Sequence, residues 1–143
     1  MRIITFVLLI LPTLVFSQIP DFDDTKSLAE QGYAYAQYNL GLMYDNGLGV
    51  PENDAEAVKW YRLAAEQGDA YAQSNLGGMY YYGEGVPENY LAAYVWYSVS
   101  AAKGNQIAKN NIEIVKNVLT NEQVAQGQAL ASKCFESNFK DCP

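Results

Sequence analysis

Three groups of residues in this chain have types and spacings from which chemistry could be built. The first is a glycine loop written twice, Gly47-Leu48-Gly49-Val50-Pro51 and, 36 residues on, Gly83-Glu84-Gly85-Val86-Pro87. Such a loop could cradle a phosphate on its backbone N–H groups. A phosphate loop, however, follows a strand and carries a third glycine or a Gly-Lys-Ser/Thr ending, which neither copy has. Both are read as turns. The second group is acidic. Glu52 and Glu88 occupy the same place in the two copies, as do Glu30 and Glu66. Glycosidases need two carboxylates facing one bond, whereas acids duplicated by a repeat read better as loop and helix-end residues. The third group is Cys134 and Cys142. With no histidine in the chain, Ser-His-Asp and Cys-His catalysis and His-ligated zinc are excluded. An enzyme would have to use a carboxylate pair or a serine–lysine arrangement. No catalytic residue, metal site or cofactor is expected.

The two cysteines are expected to form a disulfide, the usual fate of an even pair in an exported chain. On one continuous helix eight residues rise about 12 Å, too far for the bond. The chain must therefore leave its helix between them, with Asn138 as the expected break. The spacing is not that of a Cys-x-x-Cys redox or metal motif.

These residues sit in a repeat. Residues 29–64 align with 65–100 without a gap, and 22 of the 36 positions are identical. A weaker third copy starts at Ala101, where Gly104, Ala108, Asn111 and Ile112 fall in register. Ser27–Gly32 looks like the tail of an earlier unit. Within a unit, Ala36, Leu40, Met43 and Tyr44 recur at helical spacing, and Gly47 is a left-handed stop. Asn53 caps a second helix, with Glu56 as a partial capping box. That helix carries Ala57, Trp60, Tyr61 and Ala64 on one face, and Gly68 ends it. The fold class is all-α: an αα superhelical solenoid of about two and a half 36-residue helix-turn-helix repeats with a C-terminal capping helix. The expected division is a signal peptide (1–17), an N-terminal segment with a partial repeat helix (18–28), repeat 1 (29–64) and repeat 2 (65–100). A half repeat (101–120), then a capping helix and disulfide-closed tail (121–143), complete it.

The pattern Ala-Gln-x-x-Leu-Gly-x-x-Tyr, then Gly-x-Gly-Val-Pro, then Ala-x-x-Trp-Tyr, present in both full units, resembles the Sel-one-like repeats, relatives of the tetratricopeptide repeat. The resemblance covers about residues 27–120. It implies a superhelix whose first helices line a concave face, and a role in binding other proteins. Some exported relatives carry a disulfide in each repeat, which these repeats lack. The closing "LTNEQVAQGQALASK" resembles the helix often found after such arrays, with Thr120 and Gln123 as its capping box.

The two units can be compared with each other. Their first helices differ at Tyr38/Ser74, Leu42/Gly78, Asp45/Tyr81 and Asn46/Tyr82. Positions 38, 42 and 45 form a stripe apart from the shared packing stripe. The candidate partner-binding groove is therefore Tyr38, Leu42, Asp45, Asn46, Ser74, Tyr81 and Tyr82, with tyrosines as anchors. The second helices differ in charge. Asp54–Glu66 carries five charged residues and Tyr90–Ala102 none. An apolar outer face in a soluble protein calls for cover. Either the C-terminal helix and tail fold over it, or Leu91, Val95 and Ser98 form a second surface for weak self-association or a partner.

The first 17 residues, one cation followed by an apolar run from Ile3 to Phe16, read as a cleaved signal peptide. The run is shorter than the roughly 20 residues of a membrane span, and no membrane insertion is expected after cleavage. The mature chain would begin near Gln18 and be secreted or periplasmic. Loss of Arg2 takes the net charge from −7 to −8. Without a basic patch, nucleic acid is a poor partner. The expected function is a non-enzymatic protein-interaction module that takes a protein or peptide in its groove. The alternatives are an envelope enzyme acting on cell-wall material and a self-associating structural protein.

Overall fold

A computed structural model describes residues 21–143, and among these the regular structure is helical throughout. Seven helices follow in order: α1 (Phe22–Glu30), α2 (Ala34–Asn46), α3 (Asp54–Glu66), α4 (Ala70–Tyr82), α5 (Tyr90–Ala102), α6 (Gln106–Lys116) and α7 (Asn121–Glu136). The expected signal peptide (1–17) and residues 18–20 lie outside the described residues. None of the described helices is long and apolar enough to cross a membrane.

Local sequence sets the boundaries. Gly47 and Gly83 end α2 and α4 in the left-handed conformation, at φ 65° and 70°, where a side chain would be strained. Asn53 and Asn89 begin α3 and α5, accepting at Oδ1 from the N–H of Glu56 and Ala92. The expected capping box at Asn53 is not completed, because Glu56 turns to Lys59 at 3.4 Å instead. Thr120 and Gln123 do form the reciprocal box at the start of α7.

α2 with α3 and α4 with α5 form successive helical hairpins, stacked through α3 on α4. Leu40, Met43, Ala57, Tyr61, Leu76, Met79, Ala93, Trp96 and Tyr97 are buried between them. Gly41 and Gly77 allow the two helices of a hairpin to close. A Cβ there would come within 2.5 Å of the Tyr61 ring and 2.9 Å of the Tyr97 ring.

The array ends differently. α7 packs on α5, and its seat is Gly127, where a Cβ would lie 2.5 Å from the Tyr94 ring and 3.3 Å from Leu91. α7 stops at Glu136, and Asn138 and Phe139 take positive φ. That reversal brings Cys142 back to Cys134, Cα to Cα 4.7 Å, in a disulfide. The closed tail buries Phe139 and sets the Pro143 carbonyl to accept from Trp96 Nε1 at 2.9 Å and Arg62 Nη1 at 3.1 Å.

Of the two alternatives for the outer face of α5, cover by the C-terminal helix or a second surface at Leu91, Val95 and Ser98, this arrangement supplies the cover. Val95 is completely buried, Leu91 is half-buried near Gly127, and Ser98 is half-buried, its hydroxyl donating to the Tyr94 carbonyl at 2.7 Å. The uncharged outer face of α5 is uncharged because α7 covers it.

Candidate functional site

The first helices of successive units, α2, α4 and α6, share one side of the stack. Position 35 of the first unit recurs as 71 and 107, that is Tyr35, Tyr71 and Ile107. These three are 56%, 63% and 63% exposed, a ladder of large apolar side chains along one face. Comparing the two units for differences could not find it, since Tyr35 and Tyr71 are identical. Periodicity of an exposed position was the signal available.

Beneath the ladder the two units diverge. In the first, Tyr38 is half-buried, its ring centroid 6.1 Å from Tyr61 and 6.0 Å from Tyr71. Leu42 is half-buried one turn on. The Tyr61 hydroxyl donates to Asp45 Oδ2 at 2.8 Å. Burial first, then this carboxylate, holds the Tyr61 phenol well above its ordinary range, while a hydrogen bond from Asn75 opposes them. The Tyr38 phenol is also pushed up, by burial and then by Asp69 and Tyr71.

In the second unit the same slot stands open. Ser74 and Gly78 replace Tyr38 and Leu42, and a depression of about 240 Å³ remains. Asp45, Ser74, Asn75, Gly78, Tyr82, Glu84, Tyr97, Ile107 and Asn111 are on its walls. It joins α2, α4, α5 and α6, and carries carboxylates but no cation.

The expected groove residues therefore have distinct places. Asp45, Ser74 and Tyr82 meet in this depression. Ser74 is 6% exposed, so it supplies a hydroxyl at the floor rather than contact surface. Tyr38 and Leu42 fill the neighbouring slot. Tyr81 packs edge-on to Tyr82 at 5.0 Å and against Tyr90 at 5.3 Å, on the adjoining wall. Asn46 is exposed and donates its amide to the Leu42 carbonyl at 2.9 Å. Tyr97, Ile107 and Asn111 were not expected here, because Tyr97 lies on a second helix and Ile107 and Asn111 lie off the stripe that positions 38, 42 and 45 define.

Hydrolytic chemistry finds no assembled site among the described residues. The sequence does hold two Ser-x-x-Lys spacings, Ser100/Lys103 and Ser137/Lys140. The Ser137 hydroxyl donates to the Cys134 carbonyl at 3.0 Å, and Ser100 and Lys103 are likewise committed to structure. Ser100 donates to the Ala70 carbonyl at 2.6 Å, and Lys103 to the Gly68 carbonyl with its ammonium 5.2 Å from the centre of the Phe139 ring.

The Sel1 repeat pattern matches residues 34–69 and 70–105, half of the chain, and the chain belongs to that family. The family is one of protein-interaction modules. Its pattern divides the periodicity five residues later than the sequence alignment above. Among solved structures, the chain is similar to a protective antigen present in uropathogenic Escherichia coli strains displaying an SLR fold. The identity is 32% and the TM-score 0.79, over 82% of this chain and 26% of that one. It is also similar to a Sel1 repeat protein from Oxalobacter formigenes, at 38% identity and TM-score 0.61, over 62% of this chain and 67% of that one. The chain thus spans about a quarter of the length of the Escherichia coli antigen. No curated protein sequence matches it significantly.

Proposed function

We propose that this chain is an exported, non-enzymatic interaction module that binds a protein or peptide partner along the face formed by α2, α4 and α6. The observation that carries the reading is the exposed ladder Tyr35, Tyr71 and Ile107 beside the open depression holding Asp45, Ser74 and Tyr82. Large side chains with few rotors, exposed at regular intervals beside a recess, suit a partner in extended form. The groove proper is Tyr38, Leu42, Asp45, Asn46, Ser74, Tyr81 and Tyr82, widened by Tyr71, Tyr97 and Ile107. Export to a periplasmic or extracellular compartment is supported by the leader-like first 17 residues and by the Cys134–Cys142 disulfide. Self-association through Leu91 and Val95 is disfavoured by the packing of α7 on α5.

The test is capture from an envelope extract by the chain beginning at Gln18, against a Tyr71→Ala, Tyr82→Ala variant whose helicity matches. Both residues are exposed, so the fold should tolerate the change. A protein retained by the wild type and lost by the variant supports the reading. Equal retention by both moves the binding surface elsewhere and refutes it.

A further inference from the structure

The first repeat unit shows what the second one lacks. In the first, a phenol ring (Tyr38) and a Leu side chain (Leu42) fill the slot, and a carboxylate (Asp45) accepts from the hydroxyl of the tyrosine behind them, Tyr61. In the second, position 74 is serine, position 78 is glycine, and the counterpart of Asp45 is Tyr81, which packs on Tyr82 and Tyr90. The tyrosine behind the slot remains. Tyr97 is 3% exposed, and its hydroxyl lies 3.5 Å from where a Cβ at Gly78 would stand. Asn111 donates toward that hydroxyl, and among the described residues no carboxylate accepts its hydrogen in the way Asp45 serves Tyr61. The hydroxyl emerges into the open depression, where a carbonyl of a bound segment can accept its hydrogen in place of water. Burial raises the Tyr97 phenol to about 12, with Tyr82 adding to it, so the hydrogen is held at neutral pH.

The charges on the walls narrow the occupant further. Asp45 and Glu84 are the ionisable acids, no cation faces them, and the chain as a whole is at −7. An anionic ligand is repelled, and a ring flanked by positive charge is complementary. Tyr82, 68% exposed at the rim, offers a face to such a cation.

Resting on the interaction reading above, we infer that the depression between α2, α4 and α6 is a receptor for an aromatic side chain of a partner peptide flanked by lysine or arginine. The ring takes the place that Tyr38 holds in the first unit. A carbonyl of the bound segment accepts from Tyr97, and the flanking cation lies toward Asp45 and Glu84.

Three capped peptides test this, titrated into the ¹⁵N-labelled chain beginning at Gln18: acetyl-Lys-Tyr-Lys-amide, acetyl-Glu-Tyr-Glu-amide and acetyl-Lys-Ala-Lys-amide. The first is expected to shift the Ser74, Gly78 and Asn111 resonances saturably, about tenfold more tightly than either of the others. Ser74→Tyr with Gly78→Leu, which writes the first unit's filling into the second, is expected to abolish the shifts. Gly78→Leu alone serves the same purpose if the double variant does not fold. Binding of the Lys-Ala-Lys peptide as tight as that of Lys-Tyr-Lys would reduce the site to an acidic rim and overturn the inference. So would equal binding of the Glu-Tyr-Glu peptide, shifts that persist in the filled variant, or no shift at all. If the filled variant still captures the envelope partner while no peptide binds, this inference falls and the interaction reading stands.

Discussion

Two neighbouring glycines in α4, Gly77 and Gly78, should respond to the same substitution with opposite signs. Alanine in place of glycine in a helix interior gains about 1 kcal/mol of propensity, and both positions receive that gain. What differs is the room. At Gly77 the new Cβ would lie 2.9, 3.0 and 3.1 Å from three atoms of the Tyr97 ring. That ring is buried and cannot swing aside, so α4 and α5 must separate. Overpacking of this kind costs about 1–3 kcal/mol, which leaves Gly77→Ala destabilised by up to about 2 kcal/mol. At Gly78 the Cβ meets only the Tyr97 hydroxyl, at an ordinary 3.5 Å. Gly78→Ala should therefore stabilise by up to about 1 kcal/mol. For a chain of this size 1 kcal/mol corresponds to roughly 4 °C. Thermal melts followed by circular dichroism should place the two variants on opposite sides of the wild type. Equal stabilisation by both would show that α4 and α5 are not in close contact at Gly77, and the account of how the hairpin closes would be wrong. Destabilisation by both would show that the slot beside Gly78 is already filled.

Other outcomes follow from the same geometry. Reducing the Cys134–Cys142 bond, which closes a loop of about nine residues, should cost about 2.6 kcal/mol and lower the melting midpoint by about 10 °C. An unchanged melt after verified reduction would count against it. Tyr61→Phe, which strands the half-buried Asp45, should cost about 1.5–3 kcal/mol, whereas Tyr97→Phe, which removes a hydroxyl facing the open depression, should cost distinctly less by chemical denaturation. Equal costs would mean that both hydroxyls are paired. The Tyr97 phenol is raised from 10.0 to about 12 in the folded chain. Its contribution to stability is complete below the unfolded value and is lost as pH rises through the folded one. Stability should thus decline between about pH 10 and 12, and Tyr97→Phe should make that decline shallower. Gly127→Ala drives a Cβ to 2.5 Å from the Tyr94 ring, so α7 should lift from α5, and limited proteolysis should cut first in residues 117–143.

The repeat, its helix boundaries and the capping tail were legible because each rests on local rules. A glycine that must be left-handed, an asparagine that caps and a cysteine pair too far apart for one helix each constrain the backbone within a few residues. The cover over α5 was legible in outline, since an uncharged outer helix in a charged array needs a neighbour. Which side chains would supply the contact was not legible. Gly127 reads as a weak point in α7 until Tyr94 is placed against it. The candidate groove was read by asking which positions changed between copies, and that question finds substitutions without revealing their sense. Ser74 and Gly78 are sites of removal, and a removal becomes a cavity only if no neighbour moves in. Tyr97 could not be assigned to the groove from sequence. It belongs to the packing face of α5, and only its hydroxyl emerges.

Duplication gives this slot a built-in comparison. The same backbone, the same tyrosine behind it and the same asparagine beside it occur twice, once with the space filled from within the chain and once without. Drift of a neutral surface would scatter small and large residues independently over the stripe. Here the two positions facing the slot both shrink, Tyr38 to Ser74 and Leu42 to Gly78, and the residue that served the buried hydroxyl turns away, Asp45 to Tyr81. A glycine inside a helix at Gly78, with room for a Cβ, forgoes about 1 kcal/mol and leaves the Tyr97 hydroxyl open to the depression. If the slot has no occupant, alanine at that position should be at least as functional as glycine. If the slot receives a ring, Gly78→Ala should raise the melting midpoint while weakening capture of the partner. Stability and binding moving in opposite directions at one residue is the outcome that a structural role alone does not produce.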